Sequence, residues 1–414
     1  MPMPFSTLTL TRKFSLYETL LFNVLNKLPF GSLQLELPDG HILYFGNGNE
    51  VKASMRVTNP VFFTKCVLYG DIGFAESYLD GDWHTDSITN VISWFIINIK
   101  HNPVLAGRGL RKYASNALRF MNKLYHKSRK NTITGSKKNI ASHYDLGNDF
   151  YALFLDKTMT YSSAIFNSPD QSLEEAQIEK YDRLCRSLKL KPTDHVLEIG
   201  SGWGGLAVHV VRNYGCRVTT VTISEEQFKY AKDRFDREGW ADKIDIHLQD
   251  YRTLDGNFDK IISIEMLEAV GHEYLPVYFK KCDELLKPNG SIALQVITSR
   301  DKRYEEFRKD VDFIQKHIFP GSQTPSIGAI HRAVSQVSDL NLFDAKDIGL
   351  DYARTLKIWY DTFNRKLDEV KKLGMDDYFI RKWNYYLQYC EAAFQLRHIT
   401  VMQLVYSRPG SSAL

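Results

Sequence analysis

The stretch that most restricts this chain is His195 to Gly205, HVLEIGSGWGG, where an apolar run at Val196, Leu197 and Ile199 passes through Glu198 into glycines at 200, 202, 204 and 205. A short apolar run that ends in closely spaced glycines reads as a buried strand entering a sharp turn. Glycine has no Cβ and reaches left-handed dihedrals, so a ligand can lie directly against such a turn. The helix expected from about Leu206 then points its N-terminus at that ligand. The pattern is that of a nucleotide-binding turn in an α/β domain.

Turns of this kind serve dinucleotides and S-adenosylmethionine alike. Here the spacing is GxGxGG rather than GxGxxG, and the next strand, RVTTVTIS, ends in Thr222, Ile223 and Ser224. A nicotinamide-binding domain usually places an acid there for the ribose, so the dehydrogenase reading is disfavoured. Around the turn the pattern alternates. Helices are expected over 173–188, 206–214, 225–237 and 275–286, and strands over 195–199, 217–223, 244–248, 260–264 and 291–297, with a last apolar strand, VMQLVYS, at 401–407. Strands separated by helices predict a mostly parallel sheet covered on both faces, with its ligand at the carboxyl ends of the strands. That gathers Glu198 to Gly204, Thr222 to Gln227, Asp250 with Tyr251, and Glu265 to Glu268 around one crevice.

The N-terminal part is different in character. Ser15 to Leu28 has the spacing of an amphipathic helix, followed by period-two alternation at Leu33, Leu35 and Leu37, then Ile42 and Tyr44, then Val51 to Val57. With helices near 61–68 and 87–100, this predicts a small α+β domain over residues 1–100. From 101 to 139 the composition shifts: Arg108, Arg111, Lys112, Arg119, Lys123, Lys127, Arg129, Lys130, Lys137 and Lys138 occur without one acid. Leu110, Tyr113, Leu118, Met121 and Tyr125 recur there at helical spacing. A basic amphipathic helix can lie in a lipid interface, where each cation near an anionic surface adds about 1 kcal/mol. A solvated linker helix packed on its own domain is the alternative. No nucleic-acid module accompanies the block, so nucleic acid is not an expected partner.

The longest apolar run, VISWFIINI at 91–99, is well short of the ~20 residues of a spanning helix. The N-terminus lacks the order of regions of a secretory signal. Five cysteines (66, 185, 216, 282 and 390) are scattered without metal or disulfide spacing, so no metal site is expected and the reading is cytoplasmic.

The motifs SHYDLGNDFY (142–151), TMTYSSAIF (158–166), VLEIGSGWGG, VTISEEQ (221–227), EMLEAVGHEY (265–274), FIQKHIFPG (313–321) and YCEAAF (389–394) together resemble the cyclopropane-fatty-acyl-phospholipid synthases. These group with the mycolic acid cyclopropane synthases among S-adenosylmethionine-dependent methyltransferases. The resemblance covers about residues 70–410. It implies a Rossmann-like catalytic domain over 140–414, a seven-stranded, mostly parallel α/β sheet with an antiparallel C-terminal strand. The α+β domain, with GFAESYLDGDW at 73–83, then engages lipid, and 101–139 is a basic linker helix. S-adenosylmethionine is the implied methyl donor and the cis double bond of an unsaturated phospholipid acyl chain the acceptor, with a cyclopropane ring as product. The implied setting is a homodimer on the inner face of an anionic membrane.

Roles carry over by position. Tyr161 and Ser162 match a cofactor-contacting pair; Glu198, Gly200, Gly202 and Gly204 match the glycine motif; Thr222, Ile223 and Gln227 match the segment near the ribose; Asp250 and Tyr251 border the adenine. Glu268 and Tyr360 match residues that, in the bacterial enzymes, hold a bicarbonate base together with a Cys, a His and a backbone group from Ile. This chain has Ser163 for the Cys and Gln295 for the His, and keeps Ile297. Both replacements donate hydrogen bonds, so bicarbonate stays the expectation, and a methyl- or methylene-branched product is the alternative. Cys390 matches a cysteine long proposed for the active site, with a buried structural thiol as the other reading; His143 either orients substrate or cofactor or fastens the segment that covers the cofactor. The chemistry asks for a dry, apolar tunnel with aromatic faces and a carboxylate to stabilise the cation formed by methyl addition. A methyltransferase on a soluble small molecule and a non-catalytic lipid-binding protein are the competing classes; intact glycines and Glu268 speak against the second.

Overall fold

The computed structural model describes residues 13–99, 131–133, 135–136, 146–308 and 311–410. The described residues fall into two compact units: one drawn from those within Met1–Tyr125, Asp312–Lys316 and Lys371–His398, the other from those within His126–Val311, His317–Val370 and Ile399–Leu414.

In the first unit, helix α1 (Leu16–Leu25) opens with a capping box. The Ser15 hydroxyl accepts from the Glu18 N–H and the Glu18 carboxylate accepts from the Ser15 N–H, as the S-x-x-E sequence specifies. Four strands, β1 (Ser32–Glu36), β2 (Ile42–Phe45), β3 (Lys52–Val57) and β4 (Trp83–His84), form a sheet in the order β2-β1-β3-β4. The period-two residues Leu33, Leu35, Ala53, Met55 and Val57 are buried, as alternation requires. On β2 the face is the opposite of the expected one, with Leu43 and Phe45 buried and Ile42 and Tyr44 exposed, because all four residues are apolar and pairing with β1 decides which pair points inward. Helix α2 (Val61–Leu79) is longer than the stop expected near Leu68. The chain kinks at Gly70, which takes φ +61, and then continues as helix. Helix α3 (Ile88–Asn98) is capped at its start by the Ser87 hydroxyl.

The second unit holds β5 (His195–Ile199), β6 (Arg217–Thr222), β7 (Ile244–Leu248), β8 (Phe258–Ile264), β9 (Leu286–Ser299), β10 (Asn341–Asp347) and β11 (Ile399–Ser407). Their order is β10-β11-β9-β8-β5-β6-β7. Strands β7, β6, β5, β8 and β9 run parallel, and β11 lies antiparallel to both β9 and β10. Helices α4 (Leu173–Ser187), α5 (Gly205–Tyr214), α6 (Glu225–Arg237), α7 (Leu275–Leu285), α8 (Ile327–Val337) and α9 (Gly349–Arg365) accompany the sheet. Along β5, Val196 packs into one core with Leu184 and Val211, and Leu197 into another with Ile261 and Phe279. A strand that feeds two cores is covered on both faces, which accounts for its unbroken apolar run.

Sequence reasoning located six of the seven strands. It passed over β10, NLFDAKD, whose side chains are mostly exposed and do not alternate; its partner β11 defines it as an edge.

Helix α10 (Asp377–Gln395) belongs to the first unit although it follows most of the second in sequence. Its Gln388 carboxamide oxygen accepts from the N–H groups of Ile88 (3.0 Å) and Thr89 (3.4 Å), closing the start of α3. Arg381 donates to the carbonyls of Tyr78 (2.6 Å) and Trp83 (3.0 Å). Among the described residues no helix is long and apolar enough to cross a membrane.

Candidate active site

The glycine turn sits where β5 ends. Gly200, Gly202 and Gly204 take φ values of +97, +48 and +83, and the N–H groups of Gly200 and Ser201 both donate to the Val221 carbonyl (3.0 Å each), tying the turn to β6. The glycines differ in what surrounds them. A Cβ on Gly202 would meet nothing within 4 Å, whereas one on Gly204 would lie 2.6 Å from Phe235 Cε1. Gly202 therefore faces open space fit for a ligand, while Gly204 lets α6 pack against the turn. Glu198 is buried; its carboxylate accepts from the Thr220 hydroxyl (2.6 Å), and burial pushes its pKa up to about 8.

At the end of β6, the Thr222 hydroxyl donates to the Gln227 side-chain oxygen (3.0 Å) and accepts from the Ser224 N–H (3.1 Å). Ser224 caps α6 through the Gln227 N–H, which fixes Gln227 over the half-buried Ile223 turn. After β7, both Asp250 carboxylate oxygens are taken by Arg252, at 2.8 Å to Nε and 2.7 Å to Nη2, and Arg252 Nη1 donates to the Asn131 carbonyl (2.9 Å). The Tyr251 ring meets Tyr278 edge-on at 5.2 Å. Sequence reasoning missed Arg252; an arginine two residues after an acid, in an Asx turn, is the signal that would have found it.

Beside the turn stands an aromatic wall. Tyr161 lies 5.2 Å from Tyr151, 5.3 Å from Trp359, 6.3 Å from Phe154 and 6.4 Å from Phe319. Trp203, from within the glycine turn, packs on Tyr151 at 5.1 Å and donates its Nε1–H to the Asn148 side chain (2.6 Å). Next to Tyr161, the Ser162 hydroxyl accepts from the Lys180 ammonium (2.7 Å).

A carboxylate cluster completes the site. The Ser163 N–H (2.9 Å) and Gln295 Nε2 (2.8 Å) both donate to Glu265 Oε1, and Gln295 Nε2 also donates to the Ser163 carbonyl (3.1 Å). Gln295 is held in turn: its oxygen accepts from Gln403 Nε2 (2.9 Å), whose own oxygen accepts from Arg183 (2.7 Å). The Ile297 N–H donates to Glu268 Oε1 (2.5 Å), and Glu268 Oε2 is buried without a hydrogen-bond partner. Burial, reinforced by the Glu265 charge, raises the Glu268 pKa to about 8. Glu265 is likewise raised by burial, against its hydrogen bonds and the nearby Lys180 and Tyr352; burial lowers Lys180 against the pull of Glu265 and Asp156.

Of the residues expected to act together, Ser163, Gln295, Ile297 and Glu268 meet in this cluster. Tyr360 is half-buried on α9, its ring 5.7 Å from the Lys357 ammonium and its carbonyl accepting from Asn364 (2.8 Å). Cys390 lies on α10 in the first unit, where burial and Asp312 push its thiol pKa up. His143 and the basic run 101–130 lie outside the described residues. Sequence reasoning put Glu265 in the crevice but gave it no role, and it missed Lys180, Tyr352 and Gln403. Their signals are weak, because polar residues inside a helix or strand read as its solvent face. Among the described residues no group of three or more His, Cys, Asp or Glu is arranged to hold a metal ion.

A family model described as mycolic acid cyclopropane synthetase matches residues 131–404. The chain is 37% identical to the tuberculostearic acid methyltransferase UfaA1 of Mycobacterium tuberculosis over 353 residues, 83% of this chain and 80% of that one. It is 37% identical to the cyclopropane-fatty-acyl-phospholipid synthase of Escherichia coli over 367 residues, 87% and 90% of the two chains. Among solved structures, the mycolic acid cyclopropane synthase CmaA1 complexed with SAH and CTAB is similar with a TM-score of 0.62 at 29% identity, covering 66% of this chain and 98% of that one.

Proposed function

Because the chain belongs to the mycolic acid cyclopropane synthetase family and is an S-adenosylmethionine-dependent methyltransferase, we propose that it methylates the cis double bond of an unsaturated phospholipid acyl chain and closes it to a cyclopropane. One observation carries the reading: an open glycine cradle flanked by an aromatic wall and two half-buried carboxylates. Such surroundings exclude water and favour a developing carbocation, which a soluble, already activated substrate would not need.

The cofactor supplies an electrophilic methyl group on a sulfonium. Gly200 and Gly202 give it backbone to lie on, and the absence of neighbours around a Gly202 Cβ fits that use, while Gly204 of the same motif is taken up by the approach of Phe235. In this reading Tyr161 and Ser162 border it on one side, and Glu198, Thr222, Ile223 and Gln227 hold its ribose end. Asp250, fixed by Arg252, and the Tyr251 ring border the adenine. Tyr161 and Trp359 keep the acyl double bond dry, and Glu268, with Tyr360 from α9, faces the positive charge that develops on the chain.

The bicarbonate implied by the resemblance does not fit these side chains as they stand. Gln295 spends Nε2 on Glu265 and the Ser163 carbonyl, the Ser163 hydroxyl donates to the Ala164 carbonyl, and the Ile297 N–H is taken by Glu268. The first unit and the basic segment that follows it are assigned to the surface of an anionic membrane on its cytoplasmic side, with a homodimer as the working assembly. Cys390 is given a structural role.

A second product is supported by one finding: identity to a tuberculostearic acid methyltransferase equals that to a cyclopropane synthase, 37% in each case. Incubation with S-adenosylmethionine and unsaturated phospholipid vesicles, followed by gas chromatography and mass spectrometry of the acyl chains, tests both. A saturated-ring chain one methylene heavier supports the synthase, and a methyl- or methylene-branched chain the alternative. Methylation of soluble substrates only would refute the lipid reading.

A further inference from the structure

We infer that Glu265 is the base of this reaction, a built-in carboxylate seated at two of the positions, Ser163 and Gln295, that the family resemblance implies for a bound bicarbonate, with the Ser163 backbone N–H in place of its side chain; the inference rests on the lipid-methylating function proposed above. Three independent observations meet at this residue. The first is the hydrogen bonding: the Ser163 N–H and Gln295 Nε2, two of the expected anion-binding positions, both converge on Glu265 Oε1 at 2.9 and 2.8 Å.

The second is backbone strain. Glu265 takes φ +49, a left-handed conformation that is unfavourable for a side chain with a Cβ. Glutamate gains nothing from such dihedrals, and strain of this kind gathers at sites where it aims a functional group. The conformation is held from outside: the Glu265 N–H donates to the Gln295 carbonyl (2.7 Å), so the residue that binds the carboxylate also fixes its backbone. Gln295 is itself locked through Gln403 to Arg183.

The third is position. Glu265 directly follows β8, and the side chain of the next residue, Met266, lies 3.4 Å from where a Cβ on Gly200 would be. The carboxylate therefore stands beside the cofactor turn, at the strand end over which the Tyr161–Ser163 segment passes. Glu268 is held differently, through the Ile297 N–H, and suits the stabilisation of charge.

The step balances without an added reagent. Methyl transfer breaks the sulfur–carbon bond and makes a carbon–carbon bond, leaving a cation on the other alkene carbon. Glu265 takes one proton from the transferred methyl; the electron pair of that C–H bond forms the third side of the ring, and Glu265 becomes a neutral acid. The proton then leaves to water, which returns Glu265 to its charged form.

The test compares the full-length wild type with Glu265→Gln and Glu265→Ala on dioleoyl phosphatidylglycerol vesicles, in buffer stripped of carbon dioxide, with and without added bicarbonate. Binding of S-adenosylhomocysteine is measured by calorimetry on each protein. The wild type is expected to turn over at the same rate with and without bicarbonate. Glu265→Gln should lose about 100-fold or more in product while binding S-adenosylhomocysteine normally. Glu265→Ala should regain activity with formate or bicarbonate, which fill the vacated seat. A wild type that needs bicarbonate, or a Glu265→Gln enzyme as active as wild type, overturns the inference and leaves the function standing. A wild type that makes no lipid product in any buffer overturns the function and the inference with it.

Discussion

Replacing Gly202 and Gly204 separately by alanine distinguishes a glycine that makes room for a ligand from one that makes room for the protein. Both have positive φ, so either alanine costs roughly 1–2 kcal/mol from the left-handed backbone alone. At Gly204 the new methyl would sit 2.6 and 2.8 Å from two atoms of the Phe235 ring and 3.3 Å from Ala231 Cβ. Phe235 is buried on α6, so relief requires the helix or the turn to shift, and overpacking of this kind adds about 1–3 kcal/mol. Gly204→Ala should therefore melt roughly 2–12 °C below Gly202→Ala, at about 2–4 °C per kcal/mol. Ligand binding should reverse the order. The Gly202 methyl projects into the open space given to the cofactor, so its Kd for S-adenosylhomocysteine should rise about tenfold or more, about 1.4 kcal/mol. Gly204→Ala, assayed well below its Tm, should bind within about threefold of wild type. Differential scanning calorimetry and isothermal titration give both quantities. If Gly202→Ala binds like wild type, the cradle has been assigned to the wrong turn; if the two variants melt together, the contact with Phe235 is not tight.

Glu198 has a folded-state pKa of about 8, above its ordinary 4.5, so the folded protein holds that proton more tightly and the stability it brings is lost as pH rises from about 4.5 through about 8. Glu198→Gln should thus gain on wild type steadily across that window, and urea unfolding in acid, neutral and alkaline buffer would show a constant difference if the reasoning fails. Burial disfavours the Cys390 thiolate, so Cys390→Ser should keep activity within about twofold and Cys390 should label slowly with iodoacetamide; loss of turnover with intact cofactor binding would give the thiol a chemical role. Neutralising Arg108, Arg111, Lys112, Arg119 and Lys123 together should weaken vesicle binding by about 1 kcal/mol per charge at anionic surfaces, and unchanged binding in a sedimentation assay would count against the membrane assignment.

The parallel sheet was legible because its strands are short apolar runs bounded by glycine and polar turns, and the glycine turn announced the ligand end of that sheet. The helix over Glu225–Arg237 and the strand over Ile244–Leu248 fall on the expected residues. Edge strand β10 was not legible, since Leu342 and Phe343 are exposed neighbours and pairing with β11 alone makes them a strand. In the site, Ser163, Gln295, Ile297 and Glu268 could be named by position, but the hydrogen bonds that join them could not. Glu265 directly follows β8, Gln295 lies on the adjacent β9 and Ser163 comes from a segment about a hundred residues earlier, so only the folded chain shows that one carboxylate collects both donors. Lys180 and Gln403 are polar residues in a helix and a strand, and nothing local marks them as buried.

The late return of helix α10 to the first unit sets a timetable for synthesis. Ile88 waits for Gln388, 300 residues further along, to satisfy its amide. At roughly 5–20 residues per second, about 15–60 s pass on the ribosome between the two. The part of the protein made first is therefore finished late, with the apolar contacts of α3 and the segment around Trp83 awaiting their partner until all of the catalytic sheet except β11 has been synthesised. A nascent chain stalled before Asp377, or an isolated N-terminal fragment, would lack one wall of its own core, and a holding chaperone has most to protect in that interval.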